Sequence, residues 1–380
     1  MEQKFEPLFQ SLHLANGQVL KNRFVLAPLT HTLSNRDGTV SDVELNYIES
    51  RAKDVGLAIT AASYINREGQ AFPGQPSPGQ PSISKESDLQ GLQSLAKVMK
   101  TNGTKAVIQI HHGGAKSLPE FVPDGDVKGP SEVSTVGFGK AEPHDVRAMS
   151  NEEIEQAIKD FGYATHLAIL AGFDGVEIHG ANHYLIHQFV SPYYNRRSDE
   201  WGDPLRFPKA VVDEVIRTVQ NEATEDFIVG YRFSPEEVEE PGITMELTKQ
   251  LIEVLVEQPL DYLHVSLMDI HSKTRQGQYK GQKRIDLLLK WIEQRLPLIG
   301  IGSIFTAQDA LSAFESGVPL ICMGRELLLD HNFVQKIKSG KADEIISHFD
   351  HKREDKHHLP DALWNAFAQG MYPVPQVKND

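Results

Sequence analysis

The stretch SNEEIEQAIKDFGYATHLAILAGFDGVEIHGANHY, running from Ser150 to Tyr184, contains one full unit of the pattern that decides the fold. It opens with Ser150-Asn-Glu-Glu153, a capping-box pattern in which serine and glutamate side chains satisfy free backbone N–H groups at a helix start. Ile154, Ala157, Ile158, Phe161, Thr165 and Ala168 then recur at helical spacing and make one core-facing stripe. Asp174–His179 follows as a short, largely apolar run, which suits a strand covered on both faces. Where that run ends the residues turn polar, and His179, Asn182 and Tyr184 come in quick succession.

The same alternation continues in both directions. Phe24–Leu29, Gly56–Ala62 and Lys105–His111 read as strands before it, and Phe227–Phe233, Leu260–Ser266, Pro297–Gly302 and Pro319–Gly324 after it. Ser41-Asp-Val-Glu44 and Ser87-Asp-Leu-Gln90 repeat the capping pattern, and Thr306 begins another helix before Ala310, Leu311 and Phe314. Strands alternating with amphipathic helices predict an α/β fold, and eight of them favour a closed (β/α)8 TIM barrel as a single domain over residues 1–350. The alternation by itself also permits an open doubly wound sheet, but no Gly-x-Gly-x-x-Gly follows the first strand to support a Rossmann fold.

Two connections exceed plain turns. Ser63–Lys85 is rich in proline and glycine, and His112–Met149 carries several short strand-like runs. Both follow a strand, so both are expected as long loops over the C-terminal mouth of the barrel, where active sites are built. Residues 351–380 form a C-terminal tail, charged and histidine-rich at first, then a short amphipathic helix around Ala362, Leu363, Trp364 and Phe367. The tail could pack on the barrel or on a partner subunit of a homo-oligomer; the sequence leaves both open.

Composition narrows the function. A chain of 380 residues that is 40% hydrophobic and 24% charged can build a core without disulfide or metal support. Its formal net charge of −14 repels phosphate backbones and anionic lipids, so neither nucleic acid nor membrane is an expected partner. The single cysteine, Cys322, sits in an apolar run and reads as a buried core thiol; one cysteine excludes an all-cysteine iron–sulfur cluster. With no apolar signal core near Met1 and no run approaching ~18 apolar residues, a cytoplasmic location is expected.

The polar residues after Asp174–His179 carry the chemistry. Imidazole and amide can both donate hydrogen bonds to a carbonyl oxygen, and a phenol can deliver a proton. His179, Asn182 and Tyr184, gathered at a barrel mouth, are therefore the candidate catalytic residues. Gly302, Ser303, Gly324 and Arg325 lie at the ends of the seventh and eighth strands, the usual phosphate position of this barrel class, where glycines admit an anion and arginine matches its oxygens.

With Gln188-Phe189, Pro192 and Asn195-Arg-Arg-Ser-Asp-Glu-Trp-Gly202 added, the stretch resembles the His-x-x-Asn-x-Tyr motif region of the old yellow enzyme family. The likeness extends over most of the chain, through Asn22-Arg23, Ala27-Pro-Leu-Thr30, Gln109, Gly129-Pro-Ser131, Met149-Ser-x-Glu-Glu153, Arg232-Phe-Ser-Pro235, Gly300-x-Gly302 and Met323-Gly-Arg325. The resemblance implies non-covalent FMN, with Pro28, Thr30 and Ala62 against the flavin ring, Gln109 on its pyrimidine side and Arg232 near N1 and the C2 carbonyl. At an effective dielectric near 20, two charges ~4 Å apart interact by about 4 kcal/mol, enough for Arg232 to favour the anionic reduced flavin. It also implies two half-reactions. NAD(P)H reduces the flavin and leaves; a small α,β-unsaturated carbonyl compound then binds through His179 and Asn182, takes hydride at Cβ and is protonated at Cα by Tyr184.

Two positions depart from the family pattern. His183 stands where relatives often have glycine, and Thr30 where some have cysteine. A competing reading takes His179, His183 and His187, at four-residue spacing, as ligands of a metal-dependent TIM-barrel hydrolase. Gly180 directly after His179 breaks the helix that this spacing would need, so no metal ligand is assigned. A non-catalytic flavin-binding protein would not require the trio His179, Asn182 and Tyr184. His111-His112 and His357-His358 read as pocket or surface residues.

Overall fold

Eight parallel strands close into a ring in the computed structural model, which describes residues 1–72, 79–138, 140, 142–224 and 226–377. In chain order they are β1 Phe24–Leu26, β2 Leu57–Ile59, β3 Lys105–His111, β4 Gly175–Gly180, β5 Ile228–Phe233, β6 Tyr262–Val265, β7 Leu298–Ile301 and β8 Leu320–Met323. Each pairs in parallel with the next. β8 returns to β1 through Cys322 opposite Val25, so no sheet edge is left in the ring. Seven fall inside the runs read from the sequence, and β4 overruns its run, Asp174–His179, by one residue at Gly180. Most are shorter, because the last residues of those runs leave the ladder to face the mouth.

Helices cover the outside: α1 Asp42–Ala52, α2 Leu89–Met99, α3 Asn151–Leu170, α4 Arg206–Glu222, α5 Met245–Leu255, α6 Arg284–Ile292, α7 Ala307–Glu315 and α8 Phe333–Lys338. The capping boxes at Ser150 with Glu153 and at Thr306 with Asp309 form with both reciprocal bonds. Ser41 caps α1 by accepting from the Glu44 N–H, but the Glu44 side chain accepts instead from Ser34 Oγ. The Ser87 pattern is not used. Residues Glu86–Asp88 form a 3-10 turn, and the Asp88 carboxylate accepts from the hydroxyls of Ser82 and Ser84, tying down the preceding loop.

Side chains alternate in and out along each strand. Outward ones such as Val176, Ile178 and Val229 join the large core shared with the helices. Inward ones, including Val25, Leu57, Val107, Ile228, Ile299 and Leu320, fill the lower barrel, which Leu14 and Leu20 close from below beside the hairpin of Leu12–His13 and Val19–Leu20. Gly230 shows how tight that filling is. A Cβ there would lie 2.1 Å from the Tyr262 ring, so the ring occupies the space of the missing side chain.

Both long connections rise over the C-terminal mouth. Within Ser63–Lys85, Ser63–Tyr64 pairs beside β3, and residues 73–78 lie outside the described residues. Within His112–Met149, Lys128–Gly129, Val133–Val136 and Pro143–Ala148 form a small three-stranded sheet. The two loops meet at Phe72 and Phe138, whose rings are 5.1 Å apart. The tail packs on its own barrel. Leu363 and Phe367 of the helix Asp361–Ala368 are buried in the main core, and the Tyr372 hydroxyl donates to the Thr30 carbonyl. Among the described residues no helix is long and apolar enough to cross a membrane.

Candidate active site

A cavity of about 660 Å³ opens at the C-terminal mouth, within the usual range for small-molecule and cofactor sites. Nine of the twelve site residues expected from the sequence line it: Pro28, Thr30, Asn182, Tyr184, Arg232, Gly302, Ser303, Gly324 and Arg325. The other three lie close by or beneath. His179 packs against the Tyr184 ring at 5.2 Å, Ala62 clusters with Tyr184 and Phe72, and Gln109 is buried on β3 inside the barrel.

The residues around the end of β4 are held in defined orientations. His179 Nδ1 accepts from the Ala181 N–H at 3.2 Å, which places the imidazole proton on Nε2. Burial, reinforced by His111 and Arg232, holds its pKa well below the usual histidine range, so the ring is neutral. The Asn182 amide oxygen accepts from Ser266 Oγ at 2.9 Å and Ser234 Oγ at 3.3 Å, leaving the amide N–H pair free to donate. Asn182 and His183 both lie in the left-handed region, at φ 57° and 62°, a conformation that costs roughly 1–2 kcal/mol for a residue with a Cβ. Burial pushes the Tyr184 hydroxyl above its ordinary pKa, only partly opposed by Arg232, so it keeps its proton.

Beneath these groups runs a buried polar layer. Glu177 on β4 accepts from Gln109 Nε2 at 2.6 Å and is paired with His264 Nδ1 at 2.9 Å. Burial raises the Glu177 carboxyl, but His264, Arg232 and Gln109 outweigh it and keep it ionised. Arg232 donates to Ser266 Oγ at 3.3 Å, so one serine links the guanidinium to the Asn182 amide. Arg232 Nε and Gln109 Oε1 are buried without hydrogen-bond partners among the described residues. A leftover guanidinium N–H and a leftover amide oxygen are what the mixed donor and acceptor edge of a flavin pyrimidine ring would satisfy.

At the far end of the cavity lie the residues expected to hold a phosphate, Gly302, Ser303, Gly324 and Arg325. Gly302 adopts φ 126°, and a Cβ there would meet the Asp269 N–H and the Met268 carbonyl carbon at 2.7 Å. Ser303 Oγ and Arg325 both donate to the Met268 carbonyl, and Arg325 also donates to the Pro373 carbonyl in the tail. The arginine therefore ties the tail to the mouth and would have to exchange a carbonyl for a phosphate oxygen to hold an anion.

His111, read from the sequence only as a pocket or surface residue, joins the site, and three further contributors were not singled out as site residues. His111 lies 4.4 Å from the Tyr184 ring, and burial depresses its pKa strongly; both its ring nitrogens lack partners among the described residues. Ser234 lies within the Arg232-Phe-Ser-Pro235 motif, just past the run Phe227–Phe233, and Ser266 closes the run Leu260–Ser266 without a motif of its own; both line the cavity. Glu177 sits inside the quoted stretch but reads there as one polar residue in a strand. The three histidines weighed for a hydrolase are not brought together. His179 joins the cavity, whereas His183 and His187 meet Glu237.

The model of the NADH:flavin oxidoreductase / NADH oxidase family matches residues 7–344. Among curated relatives, a probable NADH-dependent flavin oxidoreductase, YqiG, of Bacillus subtilis (strain 168) is 46% identical over 99% of both chains. An NADH:fumarate oxidoreductase of Klebsiella pneumoniae (strain 342) is 37% identical over 94% of this chain, which spans only 38% of that protein. Among solved structures, an old yellow enzyme homologue from Zymomonas mobilis superposes with a TM-score of 0.74 at 24% identity, over 88% of this chain and 92% of the other. Morphinone reductase in complex with tetrahydroNAD gives a TM-score of 0.72 at 25% identity, over 88% and 91%.

Proposed function

We propose, from the premise that the chain belongs to the NADH:flavin oxidoreductase / NADH oxidase family, that this FMN- and NAD(P)H-dependent oxidoreductase of old yellow enzyme type reduces the activated C=C bond of α,β-unsaturated carbonyl compounds. The chemistry FMN supplies when bound is two-electron transfer, hydride in from the nicotinamide and hydride out to the alkene.

This chain's residues do the rest. His179 Nε2–H and the Asn182 amide N–H pair bind the carbonyl oxygen and stabilise the enolate charge that develops on it. Because both groups are neutral donors fixed by their own second bonds, they need no reorganisation as that charge grows. Tyr184, protonated and beside His179, delivers a proton to Cα. Arg232 holds a positive charge beneath the site, with Ser266 coupling it to Asn182. Phe138 lines the cavity, and Phe72 packs edge-on against Phe138. A cytoplasmic location, where nicotinamide cofactors turn over, goes with this reading.

The observation that carries the proposal is the fixed pair of donors: Ala181 N–H on His179 Nδ1 and two serine hydroxyls on the Asn182 oxygen. Stopped-flow spectroscopy of the yellow holoenzyme tests it by separating the half-reactions. NADH or NADPH should bleach the flavin, and 2-cyclohexenone, acrylate or fumarate should restore its colour. Tyr184→Phe should slow recolouring by about 10²- to 10⁴-fold while leaving bleaching unchanged. Equal losses in both halves would remove Tyr184 from proton delivery, and recolouring by oxygen alone would make the protein an NADH oxidase.

A further inference from the structure

After β4 the chain serves two sites with interleaved residues. His179, Asn182 and Tyr184 face the cavity already described. His183 and His187 instead meet the loop after β5, with their rings 4.7 Å apart. There His187 Nε2 lies 2.8 Å from Glu237 Oε2, His183 Nδ1 lies 3.5 Å from the same oxygen, and Glu239 Oε2 lies 3.7 Å from His183 Nδ1. One donor atom each from His183, His187 and Glu237 falls within a 4.8 Å span.

We propose that His183, His187 and Glu237, with Glu239 as fourth ligand, form a site for one divalent transition-metal ion of the zinc type. Two imidazoles and two carboxylates are a ligand set that suits zinc, and four protein ligands leave no open position, which makes the site structural rather than hydrolytic. Zinc bonds of ~2.0–2.2 Å in a tetrahedron set neighbouring donors roughly 3.3–3.5 Å apart. The contacts of 2.8, 3.5 and 3.7 Å bracket that spacing; binding must draw Glu239 in towards the other three and open the His187–Glu237 contact. The metal takes the place of the proton shared there, so binding releases it.

Two further observations point to a missing ligand. His183 Nδ1 and Glu239 Oε2 are both buried without a hydrogen-bond partner among the described residues. Lys116, close enough to feel the Glu239 charge, donates instead to Thr135 Oγ1 and the Val136 carbonyl. In addition, His183 keeps a left-handed backbone at φ 62°, where glycine would be unstrained, and such strain persists where the side chain is put to use. His183 also borders the cavity, which gives an ion a way in. Held by a metal, His183 would lock the turn between Asn182 and Tyr184; that consequence alone rests on the proposed function.

The test uses FMN-loaded protein stripped with EDTA, dialysed and titrated with ZnCl2 and, separately, CoCl2. Elemental analysis should find one ion per chain, and cobalt should give four-coordinate ligand-field bands at wavelengths beyond the oxidised flavin. His183→Gly, which suits the backbone and should fold, and Glu237→Gln should each weaken binding by roughly 100-fold or more. Zinc should raise the Tm of the parent protein and not that of His183→Gly. No stoichiometric binding by the parent protein, or equal affinity in parent and both variants, would overturn the site. None of these readouts depends on alkene reduction, so the site and the enzymatic reading fail separately.

Discussion

The lower and upper halves of the barrel interior are built on the same strands and differ in almost everything else. On β3 the inward side chain is Val107 low down, Gln109 above it and His111 at the mouth; on β5 Ile228 is low and Arg232 high. The lower layer is apolar, fully buried and plugged by Leu14 and Leu20. The upper layer buries Gln109, Glu177, Arg232 and His264, and leaves Gln109 Oε1, Arg232 Nε and His264 Nε2 without hydrogen-bond partners among the described residues. A closed barrel thus separates stability from chemistry by height along each strand. Polar residues are tolerated above because Glu177 balances Arg232, and because each remaining group has either a partner or a cofactor edge to meet.

Three experiments would break or sharpen that contrast. The largest effect is expected low in the barrel: Ile299→Ala should cost about 2–5 kcal/mol of stability, read from urea unfolding of the holoenzyme. The half-reaction rates of its folded fraction should be unchanged; slowed hydride transfer would mean that the layers are mechanically coupled.

Acidification should act mainly through the upper layer. His111, His179 and His264 have pKa values lowered by burial, and burial lowers His112 to about 3. Below pH 6.5 these groups take up protons on unfolding, so the stability they contribute is lost as the pH falls; for His112 that window reaches down to about pH 3, at about 1.4 kcal/mol per pH unit. Asp261, raised to about 6, and Glu326, raised to about 8, hold protons in the folded state and oppose part of this loss. Thermal unfolding of the holoenzyme should therefore show Tm falling steadily below pH 6.5. A flat profile to pH 5 would mean that these histidines are not buried neutral.

The smallest effect tests the charge balance. Glu177→Gln keeps the shape but removes the negative partner of Arg232. The flavin reduction potential should rise by about 30 mV, or about 1.4 kcal/mol for a two-electron couple. An unchanged potential would mean that Glu177 serves His264 and Gln109 only.

Much of the molecule could be read from its residues. The strands, the box at Ser150, the helix start at Thr306, the apolar stripe of α3 and the polar trio after β4 all depend on spacings of a few residues, and local backbone geometry imposes those spacings. The Ser87 pattern misled because a cap is a competition. The neighbouring Asp88 gains more from two loop hydroxyls than Ser87 gains from a helix end. The shared four-residue spacing of His179, His183 and His187 is discounted in the sequence because Gly180 breaks the helix, and the structure agrees. Left-handed residues at Asn182 and His183 break the helical phase, so the first imidazole parts from the other two.

From the sequence alone came the element order, the barrel, the FMN family and most of the residues at the mouth, since each of these is written in short-range periodicity or in a linear motif. Only the tertiary structure decided that Ser266 joins Arg232 to Asn182, that Glu177 faces Arg232, that Tyr372 of the tail reaches Thr30 and that Glu237 waits beside His183 and His187. Those partners stand far apart in sequence, and no local spacing records them. Barrel closure and strand register bring them together, and both are set by the summed packing of the whole chain.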